Sequence, residues 1–84
     1  MTVVDVYSRD ACHLCDEAVS ALSAIQKEYP FTLNIIKIRE GDERFDEFHE
    51  RVPVIFINKR YAFQYRVERP AFVEQLKRSE RGDV

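Results

Sequence analysis

The sequence predicts a small α/β fold whose elements follow the order β-α-β-α-β-β-α. Three observations predict it. An apolar segment, Val3–Ser8, precedes a helical pattern that starts at or just before Cys12. A continuous apolar run, Val54–Ile57, is typical of a central buried strand. That run is followed by a short turn and an alternating segment, which indicates a hairpin. The 84 residues suffice for one domain and not for two, so we expect residues 1–84 to form a single domain.

The first half of the chain has the pattern of a right-handed βαβ unit with parallel strands. Val3–Ser8 is almost wholly apolar, as expected of a strand covered on both faces. The helix should end at about Tyr29, because Pro30 cannot continue it. Phe31–Ile38 alternates only in part, which suits an edge strand. The positions that predict the core-facing stripe of the helix are Leu14, Ala18, Ala21, Leu22 and Ile25.

The second half predicts a short helix, a hairpin and a last helix. Gly41-Asp42 indicates a turn and an N-cap for the short helix, with Phe45 and Phe48 on its inner side. Asn58-Lys59 is a tight-turn candidate before the last strand, which spans Tyr61–Tyr65. The last helix starts near Pro70. Its expected buried residues are Phe72, Val73 and Leu76, and we expect Ser79–Val84 to fray.

Composition and charge exclude several classes of function. The formal net charge is −2, which argues against a protein that coats nucleic acid or anionic membrane. The sequence has no apolar segment long enough for a membrane span and no basic, apolar leader. We therefore expect a cytoplasmic protein, and a monomer.

The two cysteines, Cys12 and Cys15, lie two residues apart at a strand-to-helix junction. In the cytosol such a pair is more often catalytic or metal-binding than a structural staple. Residues three apart at a helix start share a face, close enough for a disulfide. Unpaired N–H groups and the helix dipole favour a thiolate at Cys12. The pattern predicts a dithiol–disulfide oxidoreductase in which Cys12 attacks a substrate disulfide and Cys15 resolves the mixed disulfide.

Charged residues near the pair act in both directions on the Cys12 thiolate. Arg9 and a protonated His13 stabilise it, whereas acidic residues oppose it, namely Asp10, Asp16 and Glu17. His13 either tunes the pair or is a solvent-facing residue with no role. Asp5 in the first strand either lies near a wet end or face of the strand or is a buried carboxylate that exchanges protons with Cys15.

These residues resemble the glutaredoxin-like branch of the thioredoxin superfamily, small proteins with a Cys-His-Leu-Cys site. The matching segments occur in the same order along nearly the whole chain. They are Val6-Tyr7-Ser8-Arg9, Cys12-His13-Leu14-Cys15-Asp16-Glu17-Ala18, Arg51-Val52-Pro53-Val54 and Tyr65-Arg66-Val67-Glu68.

The resemblance implies a thioredoxin/glutaredoxin-like fold, a four-stranded mixed sheet with helices on both faces. It implies that Pro53 is a cis-proline facing the cysteine pair, that Val52 offers backbone hydrogen bonds to an extended substrate, and that Arg9 contacts a glutathione carboxylate. The implied partner is a disulfide-containing protein or a glutathione mixed disulfide. No bound cofactor is expected.

The chain departs from the family where classical glutaredoxins carry Gly-Gly-Asp before the last helix. Arg66-Val67-Glu68-Arg69 occupies that place. The close backbone approach that glycine permits is then lost, although Glu68 and the helix N-terminus could hold part of glutathione. The electron donor is therefore either glutathione or a thioredoxin-reductase-type protein.

Two other classes of function stay open. In a metal-binding module, Cys12 and Cys15 would supply two thiolates, and His49 or a second chain would complete the ligand set. In a non-catalytic module, the Pro53 groove or the exposed edge of the hairpin at Tyr61–Tyr65 would hold a peptide.

Overall fold

A computed structural model describes residues 2–81 and contains three helices and four strands. They are β1 (Val3–Ser8), α1 (His13–Gln26), β2 (Thr32–Lys37), α2 (Phe45–Phe48), β3 (Val54–Ile57), β4 (Arg60–Gln64) and α3 (Arg69–Arg81). Their order is the predicted one. Within this part of the chain, none of the helices combines the length and apolar character that crossing a membrane requires.

The four strands form one mixed sheet in the order β2-β1-β3-β4. β1 pairs with β2 in parallel, and β3 is antiparallel to both β1 and β4. β2 is an edge strand and β3 a central one, as the hydrophobic patterns predicted. Asn58 and Lys59 both have positive φ angles, 50° and 69°, in the tight turn between β3 and β4.

One face of the sheet is covered by α1 and α3. Alternate residues of β1, Val4 and Val6, point to this face and are fully buried. They pack in one cluster with Leu22 and Ile25 of α1, Ile55 and Ile57 of β3, Phe72 and Leu76 of α3, and Phe31. This cluster is the main hydrophobic core.

The opposite face of the sheet is covered by α2. Phe48 of α2 packs in a second buried cluster with Val54 of β3. The Tyr7 ring of β1 lies 5.3 Å from the Phe48 ring and 5.6 Å from the Phe56 ring, between ring centroids. Helices therefore cover both faces, and the predicted fold class is confirmed.

The predicted stripe of α1 is wrong at its first position. Leu14 is 39% exposed, and the buried residues of the helix are Cys15, Ala18, Leu22 and Ile25. The spacing of these four residues turns the small apolar side chain of Cys15 towards the core and Leu14 away from it. The helix also ends earlier than predicted, at Gln26, because the Glu28 N–H donates to the Ile25 carbonyl at 2.9 Å and tightens the chain into a turn.

Two further local predictions are corrected. Asp42 does not cap α2: its Oδ2 accepts from the Arg39 N–H at 2.7 Å and closes the preceding turn, and Arg44 is the residue before the helix. Ser79 does not fray, because α3 continues to Arg81 and the Asn58 amide donates to the Ser79 hydroxyl. The predicted fraying of 82–84 falls outside the described residues.

Asp5 is buried on the face of the sheet away from α1 and α3. It is 2% exposed, and each of its carboxylate oxygens has a partner. Oδ1 accepts from the Asn34 amide and Oδ2 from the Lys59 ammonium, both at 3.0 Å. These bonds join β2, β1 and the β3–β4 turn. The interpretation of Asp5 as a residue at a wet end or face of the strand is therefore wrong, and its carboxylate is bonded to Asn34 and Lys59 rather than to Cys15.

We expect Phe72→Ala to lower the free energy of unfolding by about 3–5 kcal/mol, because Phe72 is fully buried and contacts the rings of Phe31 and Phe63. Urea unfolding followed by circular dichroism measures the loss. Tyr61→Ala is the matched control: Tyr61 is 52% exposed, and we expect a loss below about 1 kcal/mol. Equal losses in the two variants would contradict this placement of the core.

Candidate functional site

The cysteine pair lies at the junction between β1 and α1. Ala11, just before the pair, has a φ of 55°, a left-handed conformation that costs a non-glycine residue roughly 1 kcal/mol. The chain then returns to an extended conformation at Cys12, which is the N-cap residue of α1. The strained turn therefore places Cys12 at the positive end of a 14-residue helix.

Cys12 and Cys15 form a disulfide, and their Cα atoms are 5.2 Å apart. The backbone N–H of Cys15 donates to Cys12 Sγ at 3.2 Å, so the first sulfur satisfies a free helix donor. The two sulfurs differ in access. Cys12 is partly exposed, whereas Cys15 is 2% exposed.

The buried side chains clustered with Cys15 are apolar. It belongs to the second buried cluster, with Ile38, Phe48, Val52 and Val54, and Cys12 packs against the same cluster. The fold thus brings Val52 to the cysteine pair. Pro53 is buried, the Val52–Pro53 peptide bond is cis, and the Pro53 carbonyl accepts from the Tyr65 N–H at 2.9 Å.

Two open grooves flank α1. The β2-side groove, of about 370 Å³, contains both cysteines. Its remaining lining residues are Ser8, Arg9, Asp10, Ala11, Asp16, Val19, Ser20, Ile35 and Lys37. The β4-side groove, of about 360 Å³, is lined by Leu14, Glu17, Ala18, Ala21, Tyr65, Arg66 and Val67. A molecule bonded to Cys12 can therefore extend to either side of the helix.

The charges near the pair are mostly paired at the surface. Lys37 Nζ lies 3.3 Å from Asp10 Oδ1, and His13 Nε2 lies 3.9 Å from Glu17 Oε2. The His13 side chain is 90% exposed, so it points into solvent. Arg9 lines the β2-side groove and forms no ion pair with the other residues from 2 to 81. A free guanidinium thus lies beside the disulfide, where it favours an anionic group.

Other residues singled out from the sequence lie away from the pair. Glu68 is exposed directly before α3, and its carbonyl accepts from the Phe72 N–H at 2.9 Å. His49 stacks on the Phe45 ring, and its Nδ1 lies 2.8 Å from the Phe45 carbonyl oxygen. Across residues 2–81, no group of three or more His, Cys, Asp or Glu side chains is placed to hold a metal ion.

Sequence reasoning missed two exposed apolar residues of the grooves, Leu14 and Ile35, whereas Tyr65 was expected on an exposed hairpin edge. The signal for Leu14 was present, because counting Cys15 as apolar gives a stripe at 15, 18, 22 and 25 that leaves Leu14 outside. Tyr65 has a φ of 69°, which no feature of an aromatic residue predicts.

Comparison with known proteins supports a single family. Residues 3–78 match the family described as "Glutaredoxin-like domain (DUF836)". No curated protein matches the chain.

Solved structures with a similar fold include three proteins. Protein Ne2328 from Nitrosomonas europaea is 28% identical, with a TM-score of 0.76, and the match covers 88% of this chain and 89% of that one. A protein described only as malarial is 16% identical, with a TM-score of 0.62 and coverages of 93% and 96%. A protein of unknown function, SA0789 from Staphylococcus aureus, is 18% identical, with a TM-score of 0.59 and coverages of 92% and 89%.

The last two similarities support the fold alone. The family match extends over most of the chain and includes the cysteine pair at disulfide distance, which indicates a redox-type function. The chain therefore belongs to the glutaredoxin-like domain family of the thioredoxin-like fold.

Proposed function

We propose that this chain is a small dithiol–disulfide oxidoreductase. The observation that carries the proposal is the unequal access of two cysteines at one helix N-terminus. Cys12 is partly exposed and caps α1, whereas Cys15 is buried one turn further along. This arrangement suits a first sulfur that meets the substrate and a second that reacts only within the protein.

The reaction transfers two electrons from the reduced pair to a substrate disulfide, R–S–S–R′. The Cys12 thiolate attacks one substrate sulfur, forms a mixed disulfide with R, and releases R′–S⁻, which takes up a proton. The Cys15 thiol loses its proton and attacks Cys12 Sγ. The Cys12–Cys15 disulfide forms, R–S⁻ leaves and is protonated, and an external reductant later restores the dithiol.

The neighbouring residues have supporting roles in this proposal. Arg9, which lines the groove that contains the disulfide, would attract a carboxylate of the substrate or of glutathione. Val52, in the cluster of Cys15, would offer backbone hydrogen bonds to an extended substrate, and Pro53 would shape that wall. His13 would act on the Cys12 thiolate through solvent, and Glu68 would meet the γ-glutamyl end of glutathione.

The proposal extends to partners and location. The substrate would be a disulfide-containing protein or a glutathione mixed disulfide, and the donor glutathione or a thioredoxin-reductase-type protein. The protein would work as a cytoplasmic monomer in cell redox homeostasis.

Intact mass spectrometry across a glutathione redox series tests the proposal. We expect a loss of two hydrogens as the series becomes more oxidising, because the Cys12–Cys15 disulfide forms. A persistent glutathione adduct would instead indicate monothiol chemistry. Two free thiols throughout the series would contradict the redox function and leave metal binding and peptide binding as the alternatives.

The two cysteine variants should behave differently towards a model disulfide. We expect Cys12→Ser to abolish attack, because the accessible nucleophile is lost, and Cys15→Ser to accumulate a mixed disulfide, because the resolving thiol is lost. Mass spectrometry of quenched reactions measures both. If Cys15→Ser is the inert variant, the assignment of the two roles is reversed.

Alkylation of the reduced protein should distinguish the two thiols. We expect iodoacetamide to modify Cys12 faster than Cys15 by at least about tenfold, because Cys15 is 2% exposed and surrounded by apolar side chains. Peptide mapping of timed samples gives both rates, and a urea-unfolded sample provides the control in which the rates converge. Equal rates in the folded protein would contradict the proposed roles of Cys12 as the attacking thiol and Cys15 as the resolving thiol.

A further inference from the structure

Ser8, the last residue of β1, is a buried polar residue. The residue is 3% exposed, and its side chain forms no hydrogen bond with any other residue from 2 to 81. Its backbone is fully engaged in the sheet, where the Ser8 carbonyl accepts from the Ile38 N–H at 2.7 Å. The side-chain hydroxyl is therefore not committed to a partner within these residues.

The little accessible area that Ser8 retains opens on the β2-side groove. Within residues 2–81, every side-chain nitrogen or oxygen that is fully enclosed has a hydrogen-bond partner. The Ser8 hydroxyl has none, so it must retain some accessible surface. The groove that Ser8 lines also contains Cys12 and Cys15. The hydroxyl is therefore placed to meet a group that appears in the groove.

Two rows of residues bring Ser8 and Cys15 to the same end of the contact between β1 and α1, where both line the β2-side groove. Val4 and Val6 point towards α1 and pack against Leu22 and Ile25. Ser8 continues that row because alternate strand residues share a face. The buried row of α1 ends at Cys15, and Ile38, which is bonded to Ser8, belongs to the cluster around Cys15.

Cys15 needs help to ionise when the pair is reduced. It must lose its proton to attack Cys12, but its apolar neighbours disfavour a thiolate. Asp5, the buried carboxylate of β1, already accepts from Asn34 and Lys59. A hydroxyl that donates to the thiolate favours the charged form without adding charge.

We propose that Ser8 donates the hydrogen bond that stabilises the Cys15 thiolate while it resolves the mixed disulfide. The proposal rests on the oxidoreductase function. In that step the Cys15 thiolate displaces R–S⁻ from Cys12 Sγ, and the Ser8 proton stays on its oxygen. A sulfur bonded in a disulfide is a weaker acceptor than a thiolate, which accounts for the unpaired hydroxyl in the oxidised protein.

Other charged or titratable groups also face this region. The loop before α1, α1 itself and β2 contribute Arg9, Asp10, Asp16 and Lys37 to the groove, and α1 carries the exposed His13 and Glu17. On the other side of the second cluster lie Tyr7 of β1 and Arg44 and Arg51, whose guanidinium groups are 5.6 and 5.5 Å from the Phe48 ring. Because Ser8 substitutions leave all these groups in place, their effects cancel in a comparison of variants.

Stopped-flow reaction of the reduced full chain with the aromatic disulfide DTNB separates the two steps. Each step releases one coloured thiolate, first in a bimolecular phase and then in a unimolecular phase. We expect Ser8→Ala to leave the first phase within about twofold. Loss of the hydrogen bond should raise the pKa of Cys15 and lower its thiolate fraction, and we take a tenfold decrease, about one pKa unit, for the estimate. The thiolate that remains is more basic and therefore a better nucleophile, which offsets part of the loss. The second phase should then slow about threefold near neutral pH.

The pH profile of the second phase distinguishes this role from a structural one. We expect its midpoint to move to higher pH in Ser8→Ala, and the deficit to vanish and then reverse above the midpoint, where Cys15 is fully ionised and the more basic thiolate is the better nucleophile. Ser8→Thr should restore the wild-type profile because it keeps the hydroxyl. Ser20→Ala, at an exposed serine of the same groove, should leave it unchanged. An unchanged midpoint in Ser8→Ala, or equal slowing of both phases, would overturn the proposal.

A second measurement is independent of disulfide reduction. In Cys12→Ala, the pH dependence of iodoacetamide alkylation reports ionisation of Cys15 alone. We expect the added Ser8→Ala change to move that midpoint upward, whereas added Ser20→Ala does not. If this shift occurs in a protein that reduces no disulfide, the oxidoreductase proposal fails and the hydrogen bond stands. If disulfides are reduced and no shift occurs, the role of Ser8 is refuted.

Discussion

The packing of α1 on β1 determines the rotation of the helix and therefore which way each cysteine of the pair faces. Val4 and Val6 of the strand and Leu22 of the helix are fully buried against one another, with Ile25 at 1% exposure. Burial of each such side chain stabilises the fold by about 1.5–3 kcal/mol, so rotation of α1 by one residue would be costly. The rotation that satisfies this contact turns Cys15 inward and Leu14 outward, and leaves Cys12 at the helix cap.

The polar interactions of the sheet are kept apart from that contact. Asp5 and its two partners lie on the face away from α1, where they join three segments of the chain through a single carboxylate. The ion pairs near the cysteines, by contrast, are solvent-exposed and contribute little to stability. The buried neighbours of Cys15 are consequently apolar, and the proposed Ser8 donor would be a neutral group beside them.

Hydrophobic periodicity was sufficient to predict the sheet elements and the position of the pair, because strands and the helix of a βαβ unit have distinct periods. Periodicity failed at Leu14, which was predicted to be buried because leucine is larger and more apolar than cysteine. Only Cys15 lies in the same buried row of α1 as Ala18, Leu22 and Ile25. Periodicity also failed where a side chain had two possible partners. Asp42 bonds to Arg39 instead of capping α2, a choice set by the loop geometry. The positive φ of Tyr65 and the unpaired hydroxyl of Ser8 depend on tertiary contacts that local pattern does not encode.

Only one of the two grooves beside α1 contains the cysteine pair. The β4-side groove borders Leu14 and Tyr65 and contains neither cysteine, whereas the β2-side groove contains both. In the proposed reaction, a substrate bonded to Cys12 would meet Arg9 on the β2 side and could also spread over Leu14 and Tyr65 on the β4 side. The same rotation of α1 that buries Cys15 exposes Leu14 and leaves a groove on either side of the helix. The proposed ordered reaction, in which the outer sulfur meets the substrate and the inner one releases it, would thus be a consequence of how this helix packs on its strand.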